Sequence, residues 1–360
     1  MSTLVRWLIV APLSVALGLL LNHWHVPAGW ILAAILASGS MALISGRELP
    51  INARFYQFSR GIIGILAAVP LVSVPPRDIV SLLPAGVFVT TVTLGIGVGG
   101  GLLLARSQPS ISRETGVLSM LAGAASMMPA IATEVGGDPR YVALGQYLRL
   151  LAVSMTLPLV AGLLPMPGGG QATAAPVVQD SWLMMAVIVL VALIGQPVAR
   201  ALHIPVPGML GPLLLTVLIS AFLPEGHTML PPEALTVVSF LAVGWVCGGM
   251  LSVPALAAFA RQLPATIAFI VIVMAACALS ALPLTSWLGV TYFEAYLATS
   301  PGALETVLAL GSEGGAGPEV VVIQLIRLMG VLAVVGLLPR LLGGSDGSDG
   351  SERSGTKGAG

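Results

Sequence analysis

The sequence predicts an all-α integral membrane protein that crosses the bilayer many times and consists of two related, inverted halves. Of its 360 residues, 56% are hydrophobic and only 8% are charged, whereas a soluble domain carries about 25% charged residues. The apolar residues occur in runs of about 20, long enough for a helix to cross a hydrocarbon core of roughly 30 Å. The third observation is an internal duplication.

The duplication is visible at one constant offset, the separation between His25 and His203. The other pairs matched at this offset are Pro27 and Pro205, Gly136 and Gly314, Gly137 and Gly315, Gln146 and Gln324, and Arg149 and Arg327. The chain has only four histidines, so a histidine match at the offset that glutamine and arginine share is hard to attribute to composition. The predicted units are a first repeat (1–163), a linker (164–180), a second repeat (181–342) and a disordered tail (343–360).

Each half contains six apolar segments, and the distribution of arginine predicts that only five of them cross the bilayer. Short cytoplasmic loops accumulate Lys and Arg. If Arg6 is inside and the first half crosses five times, Arg200 and Arg261 also fall inside; six crossings would place them outside. Five crossings per half invert the second repeat relative to the first and leave both termini in the cytoplasm.

The fifth segment of each half is the one that should not span. Residues 119–138 and 297–318 are interrupted by Gly, Ser and Pro. Backbone groups that such residues free from a helix cannot face lipid unpaired. We therefore expect a re-entrant or broken segment in each half, buried in protein or lining a watery cavity.

The apolar helix that follows each break has an arginine near its middle, Arg149 in the first half and Arg327 in the second. At this depth a charge costs at least about 2.5 kcal/mol, so Arg149 and Arg327 need compensation. Gln146 and Gln324 precede them by three residues, and each helix thus presents an amide beside a guanidinium. Two interpretations remain open. Either the planar fork of N–H donors on the guanidinium group binds a carboxylate or phosphate, or it bonds unpaired backbone carbonyls or a glutamate of the broken segment.

Residues 300–305 form the sharpest local motif, with the sequence Ser-Pro-Gly-Ala-Leu-Glu. Pro and Gly interrupt the helix and leave amides free, which predicts an anion site at the N-terminus of a half-helix. Glu305 is interpreted either as a proton-coupling or cation-coupling residue or as an ion-pair partner of Arg327, and the ion pair is the preferred interpretation. Ser126 is the polar residue in the corresponding break of the first half.

Several classes of function find no support in the sequence. A glycine run from Gly95 to Gly101 lacks the lysine of a phosphate loop, and glycines four residues apart in it suit close helix packing instead. Cys247 and Cys277 have no companions, and His23 with its neighbour His25 has no further ligand at a metal-site spacing. We predict no catalytic residue, no metal, no cofactor and no direct contact with nucleic acid.

The two halves resemble the AbrB duplication family of bacterial integral membrane proteins. Each half ends in a break, a Gly-Gly turn and then Gln-x-x-Arg-Leu. The family pattern Pro-Gly-Gly-x-x-Glu-Met at the break is matched in part by Pro301, Gly302, Ala303 and Glu305, whereas the first half has neither the Pro nor the Glu. The resemblance implies a multi-pass protein of the bacterial inner membrane that is linked to regulation of gene expression. The ammonia monooxygenase label of some members needs a metal cluster that these residues do not supply.

The predicted function is that of a secondary-transporter-like protein for a small, anionic solute. The alternative is a membrane protein that regulates gene expression indirectly, as a sensor or through a partner. The expected partners are the lipid bilayer and a small solute, and a homo-oligomer stays open. The predicted substrate-binding residues are Arg149, Arg327, Gln146, Gln324, Ser300, Pro301, Gly302, Glu305 and Ser126.

Overall fold

The computed structural model describes residues 2–342 apart from residues 25, 27, 73, 123–127, 165–181, 224–227, 252, 254–256, 258–259 and 262. This part of the chain is all-helical. The helices of the first half are α1 (Thr3–His23), α2 (Gly29–Ser45), α3 (Ala53–Val72), α4 (Pro76–Ser81), α5 (Leu83–Ser107), α6 (Arg113–Met120), α7 (Met128–Glu134) and α8 (Pro139–Ala161). Those of the second half are α9 (Trp182–Ala201), α10 (Pro207–Ser220), α11 (Glu233–Gly249), α12 (Leu263–Leu288), α13 (Tyr292–Thr299), α14 (Leu304–Glu313) and α15 (Pro318–Leu342). The predicted tail, the predicted linker from residue 165 onward and Ser126 lie outside the described residues.

The helices confirm a polytopic α-helical membrane protein. Within the described residues, seven helices are long and apolar enough to cross a membrane, namely α1, α3, α5, α8, α9, α12 and α15. Three shorter apolar helices, α2, α10 and α11, occupy the other positions at which the sequence predicts a crossing. Large apolar side chains remain exposed along α1, α9 and α12, as expected for surfaces in contact with lipid.

Apart from α4, which has no counterpart among the described helices, the two halves have the same order of helices. Shifted by the offset between His25 and His203, the start of α2 at Gly29 falls on Pro207, where α10 begins, and the other long helices agree within a few positions at their starts. The broken segment appears in both halves as two short helices, α6 with α7 and α13 with α14. The described helices therefore follow the order that the offset predicts, while the duplication itself stays a prediction.

An unusual backbone conformation recurs at the same offset. Ala28 and Val206, which immediately precede α2 and α10, both have a positive φ, 50° and 48° respectively. Non-glycine residues rarely adopt this left-handed conformation, and here it turns the chain sharply into a short helix. The two positions are matched by the predicted offset, although the residues at them differ.

The halves contact each other reciprocally. Helix α2 packs on α11, the counterpart of α3, while α10, the counterpart of α2, packs on α3. The α2–α11 contact is close because Gly244 and Gly248 of α11 meet the backbone of α2, where a Cβ would overlap the carbonyls of Ile31 and Ile35. The two halves are thus joined by an equivalent pair of helix contacts.

The glycine run in α5 makes close contacts at some positions and none at others. Gly97 and Gly101 lie against α6 and the residue that follows it, whereas a Cβ added to Gly95 or Gly99 would have no atom of the described chain within 4 Å. The expectation that both pairs of glycines mediate packing is therefore wrong for Gly95 and Gly99. Residues two apart lie about 200° around a helix, so only one of the two pairs can face α6.

Candidate functional site

A glutamine and an arginine of α8 hold the end of the broken segment in the first half. Gln146 donates from Nε2 to the carbonyls of Leu118 and Leu121 at 2.6 and 3.0 Å. Arg149 donates from Nη1 to the carbonyls of Leu121 and Met120 at 2.7 and 3.2 Å, and from Nη2 to Oε1 of Gln146 at 2.7 Å. Both side chains are fully buried. They satisfy carbonyls that the end of α6 leaves without helical partners.

The second half repeats this arrangement with fewer bonds. Gln324 donates from Nε2 to the carbonyls of Leu297 and Ala298 at 2.6 and 3.3 Å, and Arg327 donates from Nη1 to the carbonyl of Ser300. Oε1 of Gln324 and Nε of Arg327 are buried without a hydrogen-bond partner among the described residues. Nε of Arg149 is also without a partner, so the difference lies in the terminal nitrogens: among the described residues Arg149 makes three hydrogen bonds and Arg327 makes one.

The two arginines line one cavity of about 300 Å³, called the central cavity here because residues of both halves line it. Both halves contribute to its lining, which includes the predicted residues Arg149, Arg327, Gln324, Gly302 and Glu305. The side chains of α3, α8 and α11 close the remaining walls, among them Tyr56, Arg60, Tyr147, Val243 and Cys247. The cavity is large enough for a small solute.

The N-terminus of α14 opens toward this cavity. Ala303, which precedes α14, provides no side-chain cap, and Ala303 and Leu304 both line the cavity. Uncapped amides at a helix N-terminus attract an anion. This agrees with the prediction of a half-helix N-terminus after Pro301 and Gly302.

Three predicted site residues have other positions. Ser300 and Pro301 are buried and do not line the cavity; the hydroxyl of Ser300 donates to the carbonyl of Leu297 at 3.1 Å, and its own carbonyl accepts from Arg327. Gln146 is buried behind Arg149. These residues shape the break, while the cavity wall itself is formed by their neighbours.

The expected ion pair between Glu305 and Arg327 is wrong. Oε1 of Glu305 lies 2.8 Å from Nε of Arg60, with 13% and 22% of the two side chains exposed. Helix α3 runs alongside α14 and brings Arg60 to the first turn of α14, while Arg327 is engaged by the carbonyl of Ser300. Arg60 is a site residue that the sequence analysis missed. An arginine eight residues into an apolar helix, four after Tyr56, was the signal that could have revealed it.

A family model described as "Transition state regulatory protein AbrB" matches residues 30–343. The match includes both broken segments and every residue that lines the central cavity. The chain belongs to the AbrB family. A similar protein from Escherichia coli (strain K12), described as "Putative regulator AbrB", is 28% identical over 348 residues, which is 94% of this chain and 97% of the relative.

Membership of the AbrB family agrees with the resemblance seen in the sequence, but the descriptions of the family and of the relative name no ligand. Among the residues that the structure describes, no group of three or more His, Cys, Asp or Glu side chains is arranged to hold a metal ion. The central cavity of this AbrB-family chain instead collects three guanidinium groups, from Arg60, Arg149 and Arg327, and one carboxylate.

Proposed function

We propose that this AbrB-family protein is a secondary-transporter-like membrane protein that binds a small anionic solute in the central cavity. The observation that carries the proposal is the charge of the cavity lining: three arginines against Glu305 as the one acidic residue among its described residues. Glu305 pairs with Arg60, so Arg149 and Arg327 face the cavity without a carboxylate. A carboxylate or phosphate would supply that charge and accept hydrogen bonds from the planar forks.

The broken helices favour a transporter. Interrupted helices at the meeting of two repeats, with helix ends directed at the site, are typical of secondary transporters. Rocking of one half against the other around such a site would expose it to each side of the membrane in turn. The seam between the halves, at the cavity walls contributed by α3, α8, α11 and α14, is where this movement would take place.

The inverted arrangement of the repeats is part of the proposal and can be tested by thiol labelling. After Cys247 and Cys277 are replaced by serine, cysteines at positions 109 and 257 should react from the cytoplasm, and those at positions 172 and 228 from outside. Position 172 decides between the two topologies because five crossings place it outside and six place it inside. Labelling of position 172 from the cytoplasm alone would exclude the inverted repeat.

Binding of the anion can be tested by thermal unfolding of the purified protein in detergent. Acetate, succinate, citrate and inorganic phosphate are compared at constant ionic strength. A ligand that binds only the folded state adds RT ln(1 + [L]/Kd), about 2.7 kcal/mol at one hundred times Kd. We expect at least one of these anions to raise the unfolding temperature of the wild type, and Arg327→Lys to lose most of the increase because the planar fork is lost while the charge stays.

Arg77→Lys is the matched control, since it makes the same change at an arginine whose side chain is 85% exposed. It should respond to the anion as the wild type does. A full anion-induced shift in Arg327→Lys would leave Arg327 with the bracing role alone. A wild type that none of the four anions stabilises would count against the proposed site.

The alternative is a membrane sensor that affects gene expression through a partner. The names of the matched family and of the Escherichia coli relative, which both refer to regulation, favour this alternative. The same cavity would then bind the anion as a signal. An unchanged transcript profile after deletion of the gene would argue against it.

A further inference from the structure

The ion pair of Arg60 and Glu305 is placed where a solute would compete with it. Both residues line the cavity that contains Arg149 and Arg327. Arg149 is committed to two backbone carbonyls and Gln146, and Arg327 to the carbonyl of Ser300. Arg60 differs from both, because the partner that the structure gives its guanidinium is a carboxylate of the same cavity.

A solute carboxylate is chemically equivalent to the group that Arg60 already binds. When it pairs with Arg60, the side chain of Glu305 loses its cationic partner in a site where only 13% of it is exposed. A carboxylate that loses its counter-charge, is poorly solvated and has a second anion in the same cavity favours its protonated form. Binding of the solute should therefore draw a proton to Glu305.

We propose that Glu305 is a proton-binding site whose occupancy is coupled to anion binding by exchange of partners on Arg60. With the cavity empty, Glu305 is ionised and paired with Arg60. An entering anion takes its place on Arg60, and Glu305 accepts a proton from water, which converts its carboxylate to the neutral acid. Release of the anion reverses both steps and returns the proton to water. The inference rests on the proposed function and adds the coupling ion.

The other groups that face Glu305 do not compete for this role. They are Tyr56 on α3, Tyr147 and Arg149 on α8, Cys247 on α11 and Arg327 on α15. Tyrosine, cysteine and arginine side chains ordinarily keep their protons near neutral pH. Among the described lining residues, Glu305 is thus the carboxyl group that anion binding can switch.

Infrared spectroscopy of the purified protein tests the site without a transport assay. A protonated carboxylic acid has a carbonyl-stretch band above the amide bands. At neutral pH we expect Arg60→Gln to show an additional band of this kind, which wild type, Arg60→Lys and the double variant Arg60→Gln with Glu305→Gln lack. Arg60→Lys keeps the cation, and size-exclusion chromatography verifies that each variant is folded.

Proton uptake on anion binding tests the coupling. Addition of acetate or inorganic phosphate to weakly buffered wild type should take up about one proton for each anion bound. Glu305→Gln should bind the same anion with no uptake. Binding to the wild type without uptake would overturn the coupling, and absence of the carboxylic acid band in folded Arg60→Gln would overturn the proton site. If neither these two anions nor succinate nor citrate binds, the proposed function fails, while the infrared result still decides whether Glu305 holds a proton.

Discussion

Arg149→Ala is expected to destabilise the protein more than the equivalent substitution in the second half, Arg327→Ala. The substitution removes the donor to the carbonyl of Met120 and the donor to Oε1 of Gln146, and the Leu121 carbonyl retains only Gln146. Each buried acceptor left without a donor costs about 1 to 3 kcal/mol. The free energy of unfolding should therefore fall by about 2 to 6 kcal/mol.

Arg327→Ala is the natural comparison, since it is the same change at the equivalent position of the second half. Among the described residues it leaves the carbonyl of Ser300 without its donor, and the expected cost is about 1 to 3 kcal/mol. Thermal unfolding in detergent without added anion measures both. Equal losses, or a larger loss for Arg327→Ala, would contradict the interpretation that Arg149 mainly stabilises the break and that Arg327 has more donors available for a ligand.

Gly101→Ala is expected to have the second large effect on stability. A Cβ on Gly101 would overlap the backbone of Val117 and the carbonyl of Gly116, so α5 and α6 would have to separate. Overpacking of a well-packed contact costs about 1 to 3 kcal/mol, occasionally more, and the upper end applies because backbone atoms cannot rotate away. Since α6 leads into the first break, the substitution should also disturb the cavity.

Gly99→Ala provides the control within the same helix. No atom of the described chain lies within 4 Å of a Cβ at this position, and alanine is favoured over glycine in a helix by up to about 1 kcal/mol. The unfolding temperature should stay unchanged or rise slightly, whereas that of Gly101→Ala should fall. A comparable fall in both variants would show that the α5–α6 contact is not the reason.

The order of the helices and the two breaks could be predicted from the sequence, whereas most contacts between side chains could not. The constant offset between the halves predicted the paired order of helices, and the Gly, Ser and Pro residues predicted the two breaks, because both follow from local composition and spacing. The Gln-x-x-Arg motif predicted an amide beside a guanidinium in each half, but it left open whether these groups hold the break or bind an anion. What remained open was which acceptors they use, since carbonyls at a helix end carry no sequence signal.

The partner of Glu305 could not be predicted for a different reason. Arg60 belongs to α3, in the other half of the chain, and reaches Glu305 only because α3 packs along α14. Sequence proximity favoured Arg327, which lies on the next helix but is already occupied by a backbone carbonyl. Pairings between distant helices depend on their packing, and a single sequence does not specify that.

The glycine run shows a similar limit. Spacing alone made the pairs Gly95 with Gly99 and Gly97 with Gly101 equally suited to helix contact. Only the position of α6 decides which face of α5 is covered. The left-handed residues before α2 and α10, Ala28 and Val206, were likewise invisible in the sequence because neither is a glycine or asparagine.

Anion exchange by proteoliposomes is the most direct test of the claim that the central cavity belongs to a transporter. Vesicles that contain the purified protein are loaded with the probe anion that stabilises it, and entry of the same radiolabelled anion is followed. The account predicts saturable entry that protein-free vesicles lack and that Arg327→Lys abolishes, while Arg77→Lys retains it. Entry no faster than in protein-free vesicles, by a protein that binds the anion in detergent, would contradict transport and favour the sensor.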